Sequence, residues 1–325
     1  MKSSKPRLIL TTGDPDGIGP EIILKIFKNK KFTELYNLKI SGSKKIFDYY
    51  SSLLNLPEIE ENAFIEIPLP RNFKINPGKT GKSAGKFSGD SVKKAAELCL
   101  KNEFDAVVTL PLSKESLNKG GYNYPGHTEM LSEITSSSET AMILHSRKFS
   151  VALLTGHIPV KNISRKLTKD LIFRKIVTVN NSLIRDFGIK NPKIAILSLN
   201  PHSGDGGLIG NEEINIINPV ILKMNSMGFN IRGAFSSDAY FANKMYQKFD
   251  ITAAVYHDQG LIPFKMISFG KGVNFTAGLK ITRTSPDHGT AFDIAGTGNA
   301  NEESTMHAIK LAEKIANGKE RKFQE

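Results

Sequence analysis

Short apolar runs alternate along the chain with amphipathic stretches, and the alternation predicts an α/β fold. Residues 7–10 form an apolar run of strand length. The polar loop after it leads into Ile22, Ile23 and Ile26, spaced to give a helix one apolar face. Gly13, Gly17 and Gly19 allow a tight strand-to-helix turn, and Pro20 suits a first helical turn. A helix is predicted from Ser88 or Asp90 through Leu100, a strand over 105–110, and a helix start after the turn in YNYPGHTEML. Residues 140–144 and 150–155 flank a polar turn and predict an antiparallel hairpin. A long amphipathic helix over 164–187, a strand over 193–199, a helix over 212–227 and a strand over 251–256 follow. Residues 273–276 and 279–282 read as a strand pair around Ala277-Gly278, and 304–316 as a helix. The pattern implies a mainly parallel sheet with some antiparallel additions.

At 325 residues the chain exceeds the size at which one core stops growing, so two packed α/β domains are expected. Its single cysteine, Cys99, excludes an intrachain disulfide and falls on the apolar face of a predicted helix, as a buried structural thiol does. No apolar run approaches the ~18 residues of a membrane span, and the opening run is too short for a signal peptide, so a cytoplasmic protein is expected. The formal charge is +12. Its lysines are scattered, without a recognition helix or an aromatic-interleaved basic stripe, so nucleic acid is not the expected partner; such a surface would also attract small anions and a dinucleotide, and a lysine-rich proteome explains much of the charge. NPGKTGKSAGKFSG imitates a phosphate loop. The glycine required five residues before each GK is missing, and no apolar strand precedes.

Residues 256–301 concentrate two His, three Lys, an Arg and many Gly between short apolar runs, a composition that stabilises a fold poorly and marks a site wall. Three histidines follow directly on predicted strands: His157, His202 and His257. Strand ends at one sheet edge converge, so the three imidazoles either form one divalent-cation site or are ordinary hydrogen-bonded loop residues. His127 and Thr128 present polar groups side by side, unless Thr128 caps a helix beginning at Glu129. Lys265, Asn274 and Arg283 suit a phosphate or carboxylate, although a solvated face explains any one of them. His145 and His307 are read as surface residues without a role.

These motifs carry a resemblance. GDPDGIGPE (13–21), YPGHTE (124–129), LNPHSGDGG (199–207), YHDQGLIPFK (256–265), GVNFTAGL (272–279) and RTSPDHGTAFDIAG (283–296) closely resemble the 4-hydroxythreonine-4-phosphate dehydrogenase family of vitamin B6 biosynthesis, over nearly the whole chain. The resemblance implies that His157, His202 and His257 bind one divalent cation per subunit (Zn, Mg or Co), one ligand crossing a homodimer interface. It implies that His127, Thr128, Lys265, Asn274 and Arg283 contact a small phosphorylated substrate. The family is similar in turn to isocitrate and isopropylmalate dehydrogenases, whose HGSAPDIAGxxxAN-like cofactor loop is matched by HGTAFDIAGTGNAN. That likeness implies NAD at His288, Gly289, Asp293 and Asn301, the Asp293 carboxylate disfavouring the 2′-phosphate of NADP unless it caps a helix instead.

Implied too is a two-domain architecture: 1–130 with 288–325 carrying the glycine and cofactor loops, 131–287 carrying the metal ligands and dimer interface, the site in the cleft between. The implied reaction is oxidation of 4-phosphohydroxy-L-threonine at its 3-hydroxyl with decarboxylation to 3-amino-2-oxopropyl phosphate. Asp238 and Lys265 are the candidates for moving the hydroxyl proton, a helix cap being the other reading of Asp238. Three departures from the family bear on selectivity: Asp16 stands where a small residue is common, PLSK replaces PINK, and Gly156 replaces Thr. Relatives with this framework oxidise phosphorylated sugar acids such as D-threonate or D-erythronate 4-phosphate. A three-histidine metallohydrolase would need the same ligands and no NAD loop.

Overall fold

The computed structural model describes residues 5–268 and 270–322. The chain divides into two compact units, Met1–Ser137 with Leu279–Glu325, and Ser138–Gly278. In chain order, the first unit begins with β1 (Arg7–Thr11), α1 (Gly19–Lys28), α2 (Lys30–Thr33), β2 (Asn37–Gly42), α3 (Lys44–Leu54), β3 (Phe64–Glu66), α4 (Lys82–Leu100), β4 (Ala106–Val108), α5 (Lys114–Lys119) and α6 (His127–Ile134). The second contains β5 (Ala141–His145), β6 (Ser150–Leu153), α7 (Ile163–Lys166), α8 (Lys169–Arg185), β7 (Lys193–Leu197), α9 (Asn218–Ser226), β8 (Asn230–Phe235), α10 (Ser237–Ala242), β9 (Ile251–Ala254), α11 (His257–Ser268) and β10 (Val273–Ala277). The chain then returns to the first unit with β11 (Arg283–Pro286) and α12 (Glu303–Lys322).

Strands of the first unit lie in the order β3-β2-β1-β4-β11, every pair parallel. Parallel strands are covered on both faces, which is why 8–10 and 106–108 read as continuous apolar runs. Leu8, Ile9, Leu10, Val107, Ile22, Val92 and Ala308 are fully buried. Each Leu or Ile side chain so buried contributes ~1.5–3 kcal/mol. In the second unit the order is β10-β5-β6-β9-β7-β8, the first two pairs antiparallel and the rest parallel. Its core gathers Val151, Leu153, Ala195, Leu197, Tyr240, Ala254 and Phe264. No described helix is long and apolar enough to cross a membrane.

The α/β reading, the parallel sheets and the 140–155 hairpin match the structure. Several boundaries differ. Helix α4 starts at Lys82, earlier than Ser88 or Asp90, because Gly85 and Gly89 are helical: a Cβ on Gly85 would lie 1.6 Å from the Ser116 carbonyl oxygen, and one on Gly89 2.1 Å from the Tyr122 ring. The helix over 164–187 is broken into α7 and α8, where Thr168 caps α8 by accepting the Leu171 N–H at 3.1 Å. The 212–227 helix opens with a wide turn, Glu213–Ile217, before α9. Residues 279–282 are not a strand; β11 begins at Arg283 and pairs with β4. Helix α11 escaped the pattern because it contains Gly260 and Pro263. Gly260 is required there: a Cβ would come within 2.8 Å of Val151 and 2.9 Å of Ala254. Cys99 is buried, its thiol pushed up to about 12 by that burial.

Candidate active site

In the second unit, His157, His202 and His257 follow β6, β7 and β9, which are neighbours in the order β6-β9-β7 and parallel to one another. Their C-terminal ends therefore share one sheet edge. The structure brings two of the three together: the His157 and His257 rings have centroids 5.2 Å apart. His257 Nδ1 lies 2.7 Å from Asp258 Oδ1; with Nδ1–H donating to that carboxylate, Nε2 is the nitrogen turned to a ligand. His202 stands apart in a loop where residues 202–206 all have positive φ, from 44° to 81°. Such a run costs ~1–2 kcal/mol for each non-glycine residue and persists only when braced.

The brace is visible. Buried Glu213 accepts the N–H groups of Leu199 and Asn200 at 2.8 and 2.9 Å, and Ser203 donates to the Ala234 carbonyl at 3.0 Å. Gln259 ties the strand ends to one another: its Oε1 accepts the Val255 N–H at 2.6 Å, and its Nε2 donates to the Ser198 carbonyl at 2.6 Å and to Ser237 Oγ at 2.8 Å. Among the described residues, no group of three or more His, Cys, Asp or Glu is gathered closely enough to hold a metal ion. The donor chemistry still fits one: imidazole nitrogens suit a divalent transition metal, and the His157–His257 pair with Asp258 behind it could offer two nitrogen donors.

Other predicted residues of this unit are spread around these elements. Lys265 is exposed in the last turn of α11. Asn274, on β10, has a buried Oδ1 without a hydrogen-bond partner, an acceptor held ready. Asp238 lies in the first turn of α10, with Ser236 rather than Asp238 at the capping position. The Ser236 hydroxyl donates to it at 2.6 Å; that bond, the Ala239 N–H and nearby His202 hold its carboxyl below the usual range, so it is ionised.

The first unit assembles a different cluster. Arg283 opens β11 only 2% exposed, and its Nε donates to Thr109 Oγ1 at 2.9 Å at the end of β4. Burial pulls the guanidinium down to about 10, with Glu129 opposing the fall. His127 opens α6, whose capping position is Gly126, which has no side chain to offer; Thr128 sits inside the first turn and is not the cap. Burial holds the His127 ring well below its usual range, and the charges of Arg283 and Lys114 push it the same way against a bond to the Leu110 carbonyl. The ring is therefore neutral at pH 7, and its Nε2 is buried without a partner. A neutral ring donating through one nitrogen presents the other as an acceptor.

The stretch 288–301 also lies in the first unit. His288 Nδ1 is 3.1 Å from the Gly289 carbonyl oxygen, and its Nε2 is buried without a partner. Asp293 is exposed and sits inside the short turn Phe292–Ile294, so it caps nothing. Asn301 does cap: its Oδ1 accepts the Glu303 N–H at 2.7 Å at the start of α12. The end of the stretch is clamped by α1. Glu21 accepts the Ala300 N–H at 2.7 Å and the Gly298 N–H at 3.2 Å, while Lys25 donates to the Gly298 carbonyl at 2.7 Å and pairs with Glu21 at 3.0 Å. Sequence reasoning missed Glu21, Thr109, Glu213 and Gln259. Two of them stood inside quoted motifs, GDPDGIGPE and YHDQGLIPFK; a threonine ending a strand carries no signal.

Comparison with known proteins bears on the family and the fold. The family model described as pyridoxal phosphate biosynthetic protein PdxA matches residues 29–312. A 4-hydroxythreonine-4-phosphate dehydrogenase of Sulfurihydrogenibium sp. is 42% identical over 315 residues, 94% of this chain and 97% of that one. A D-threonate 4-phosphate dehydrogenase of Salmonella typhimurium is 37% identical over 322 residues, 94% of this chain and 98% of that one. The crystal structure of 4-hydroxythreonine-4-phosphate dehydrogenase from Klebsiella pneumoniae superposes with a TM-score of 0.87 at 36% identity, over 97% of this chain and 99% of that one. With most of its length matched by the family model and by relatives above 30% identity, the chain belongs to the PdxA family of pyridoxal phosphate biosynthetic proteins.

Proposed function

We propose that the chain oxidises 4-phosphohydroxy-L-threonine at its 3-hydroxyl with NAD and a divalent cation, the keto acid then losing CO2 to give 3-amino-2-oxopropyl phosphate for pyridoxal 5′-phosphate synthesis. The observation that carries this reading is the pairing of a neutral, acceptor-presenting His127 with the buried Arg283 in a chain 42% identical to a 4-hydroxythreonine-4-phosphate dehydrogenase. When bound, the dinucleotide takes the hydride and the cation polarises the oxygen that is oxidised. Arg283 and Lys265 bind the substrate's anionic groups, Arg283 already desolvated and so a strong partner. His127 accepts from a substrate donor through Nε2, and Thr128 and the Asn274 oxygen complete the polar contacts. Ionised Asp238 and Lys265 are the two candidates for taking the hydroxyl proton.

His157 and His257 of one chain would hold the cation and His202 of a second copy would complete the set, in a homodimer with shared sites. Exposed apolar residues a short way along the chain from His157 and His202 support that pairing: Val160 is 79% exposed and Leu208 88%. His288, Gly289 and Asp293 receive NAD; the exposed Asp293 carboxylate suits a ribose diol and repels a 2′-phosphate. A second reading, the same oxidation on D-threonate 4-phosphate, is favoured by the relative of that name. Following NADH absorbance with metal-loaded enzyme on 4-phosphohydroxy-L-threonine, D-threonate 4-phosphate and D-erythronate 4-phosphate separates the two. Hydrolysis of a substrate without NADH formation would overturn both in favour of a metallohydrolase.

A further inference from the structure

We propose that Asp16 is a positioning residue for the dinucleotide, acting through the segment 76–78; this rests on reading residues 288–301 as the cofactor stretch. Asp16 is 2% exposed in the loop between β1 and α1, at a position where the family resemblance calls for a small residue. It holds the segment at two points. The Asn76 N–H donates to its Oδ1 at 2.6 Å, and the Gly78 N–H donates to its main-chain oxygen at 2.8 Å. A small side chain at 16 would keep the second bond and lose the first.

The held segment is in turn a support for the cofactor stretch. Gly78, at φ +82°, approaches Phe292 so closely that a Cβ there would lie 2.8 Å from the Phe292 carbonyl oxygen. A Cβ on Gly296 would lie 3.4 Å from Pro77. Phe292 and Gly296 bracket Asp293, so segment 76–78 touches the chain on both sides of the proposed ribose ligand. The opening loop supports the stretch directly as well: the Ile18 N–H donates to the Thr290 carbonyl at 3.1 Å. Asp16 thus joins two supports into one, and losing its carboxylate removes one of the two anchors of 76–78 without disturbing the Ile18 contact or the Glu21 clamp.

The test is steady-state kinetics of the metal-loaded full-length enzyme, with NAD and the phosphorylated substrate varied in turn. Asp16→Ala is expected to raise the KM for NAD about tenfold, leaving kcat and the substrate KM within about twofold. Asp16→Asn keeps an acceptor oxygen and is expected to restore the KM for NAD. Asn76→Pro deletes the donor from the other end and is expected to reproduce the Asp16→Ala effect, which keeps the test open should Asp16→Ala fold poorly. Asp293→Ala serves as the reference for the cofactor stretch itself. An unchanged KM for NAD in Asp16→Ala and Asn76→Pro, alongside a raised one in Asp293→Ala, would overturn the role of Asp16 while leaving the cofactor reading intact. An unchanged KM for NAD in Asp293→Ala would overturn the cofactor reading, and this proposal with it. Equal loss in both KM values and kcat would make Asp16 merely structural.

Discussion

His157 and His257 stand with ring centroids 5.2 Å apart, released by neighbouring parallel strands, while His202, from the next strand, stays out of the pair. If that pair is completed by His202 of a second copy, a mixed dimer of His202→Ala and His157→Ala chains contains one intact site. Each variant alone is expected to be inactive, and purified mixed dimers to regain up to about half of the activity. Mixed dimers of His157→Ala and His257→Ala have no intact site and should stay inactive. Recovery in that second mixture would place His157 and His257 in different sites.

Arg283 depends on Thr109, whose Oγ1 accepts from Nε at 2.9 Å within the buried end of β4. Hydrogen bonds to charged groups contribute ~1.5–3 kcal/mol, so Arg283→Met is expected to weaken binding of the phosphorylated substrate by about 10- to 100-fold in KM. Thr109→Val leaves the cation in place but unguided. It should raise the same KM less, with the KM for NAD unchanged in both variants; parallel changes in the two constants would argue that Arg283 acts on the fold instead.

Much of this arrangement is written in local pattern. The strands preceding His157, His202 and His257 read as apolar runs because parallel strands are buried on both faces, and their adjacency follows once those runs share a sheet. Helix α11 does not read as a helix, since Gly260 and Pro263 serve packing against Val151 and Ala254 rather than propensity. The early start of α4 is hidden for the same reason, its glycines fitting Ser116 and Tyr122. Polar braces are the least legible. Gln259 and Glu213 act through long-range hydrogen bonds to Ser198, Leu199 and Asn200, and neither periodicity nor spacing encodes a partner so distant in the chain. The acceptor state of His127 is likewise a product of burial beside Arg283, which only the assembled fold supplies.

Glu21 is fully buried and joins α1 to the end of the stretch 288–301 through Gly298 and Ala300, with Lys25 beside it. Glu21→Leu leaves the Gly298 and Ala300 N–H groups without their acceptor, while Lys25 keeps its bond to the Gly298 carbonyl, and each buried donor left unsatisfied costs ~1–3 kcal/mol. The urea midpoint should fall without a change in slope. Glu21→Gln retains an acceptor and should fall less. A wild-type midpoint in Glu21→Leu would show that the clamp contributes nothing to stability.

Asp16 also sets a pH dependence. Burial pushes its carboxyl up to about 7, the Asn76 N–H opposing and the charge of Asp14 assisting the rise. A carboxyl that binds its proton more tightly folded than unfolded favours the folded state at low pH. Between pH ~4, where the unfolded group titrates, and pH ~7, the unfolded chain binds fewer protons than the folded one, so stability falls as pH rises. At ~1.4 kcal/mol per pH unit the full effect is on the order of 4 kcal/mol, reached above the folded-state value. Asp14, raised mainly by its own burial, acts in the same direction. Asp16→Asn cannot titrate and still offers an oxygen to Asn76; urea unfolding from pH 4.5 to 8 should find it less stable relative to wild type at the acid end and gaining steadily toward the alkaline end. A constant difference across that range would mean that Asp16 is ionised throughout, and that its charge is stabilised within the fold rather than opposed by burial.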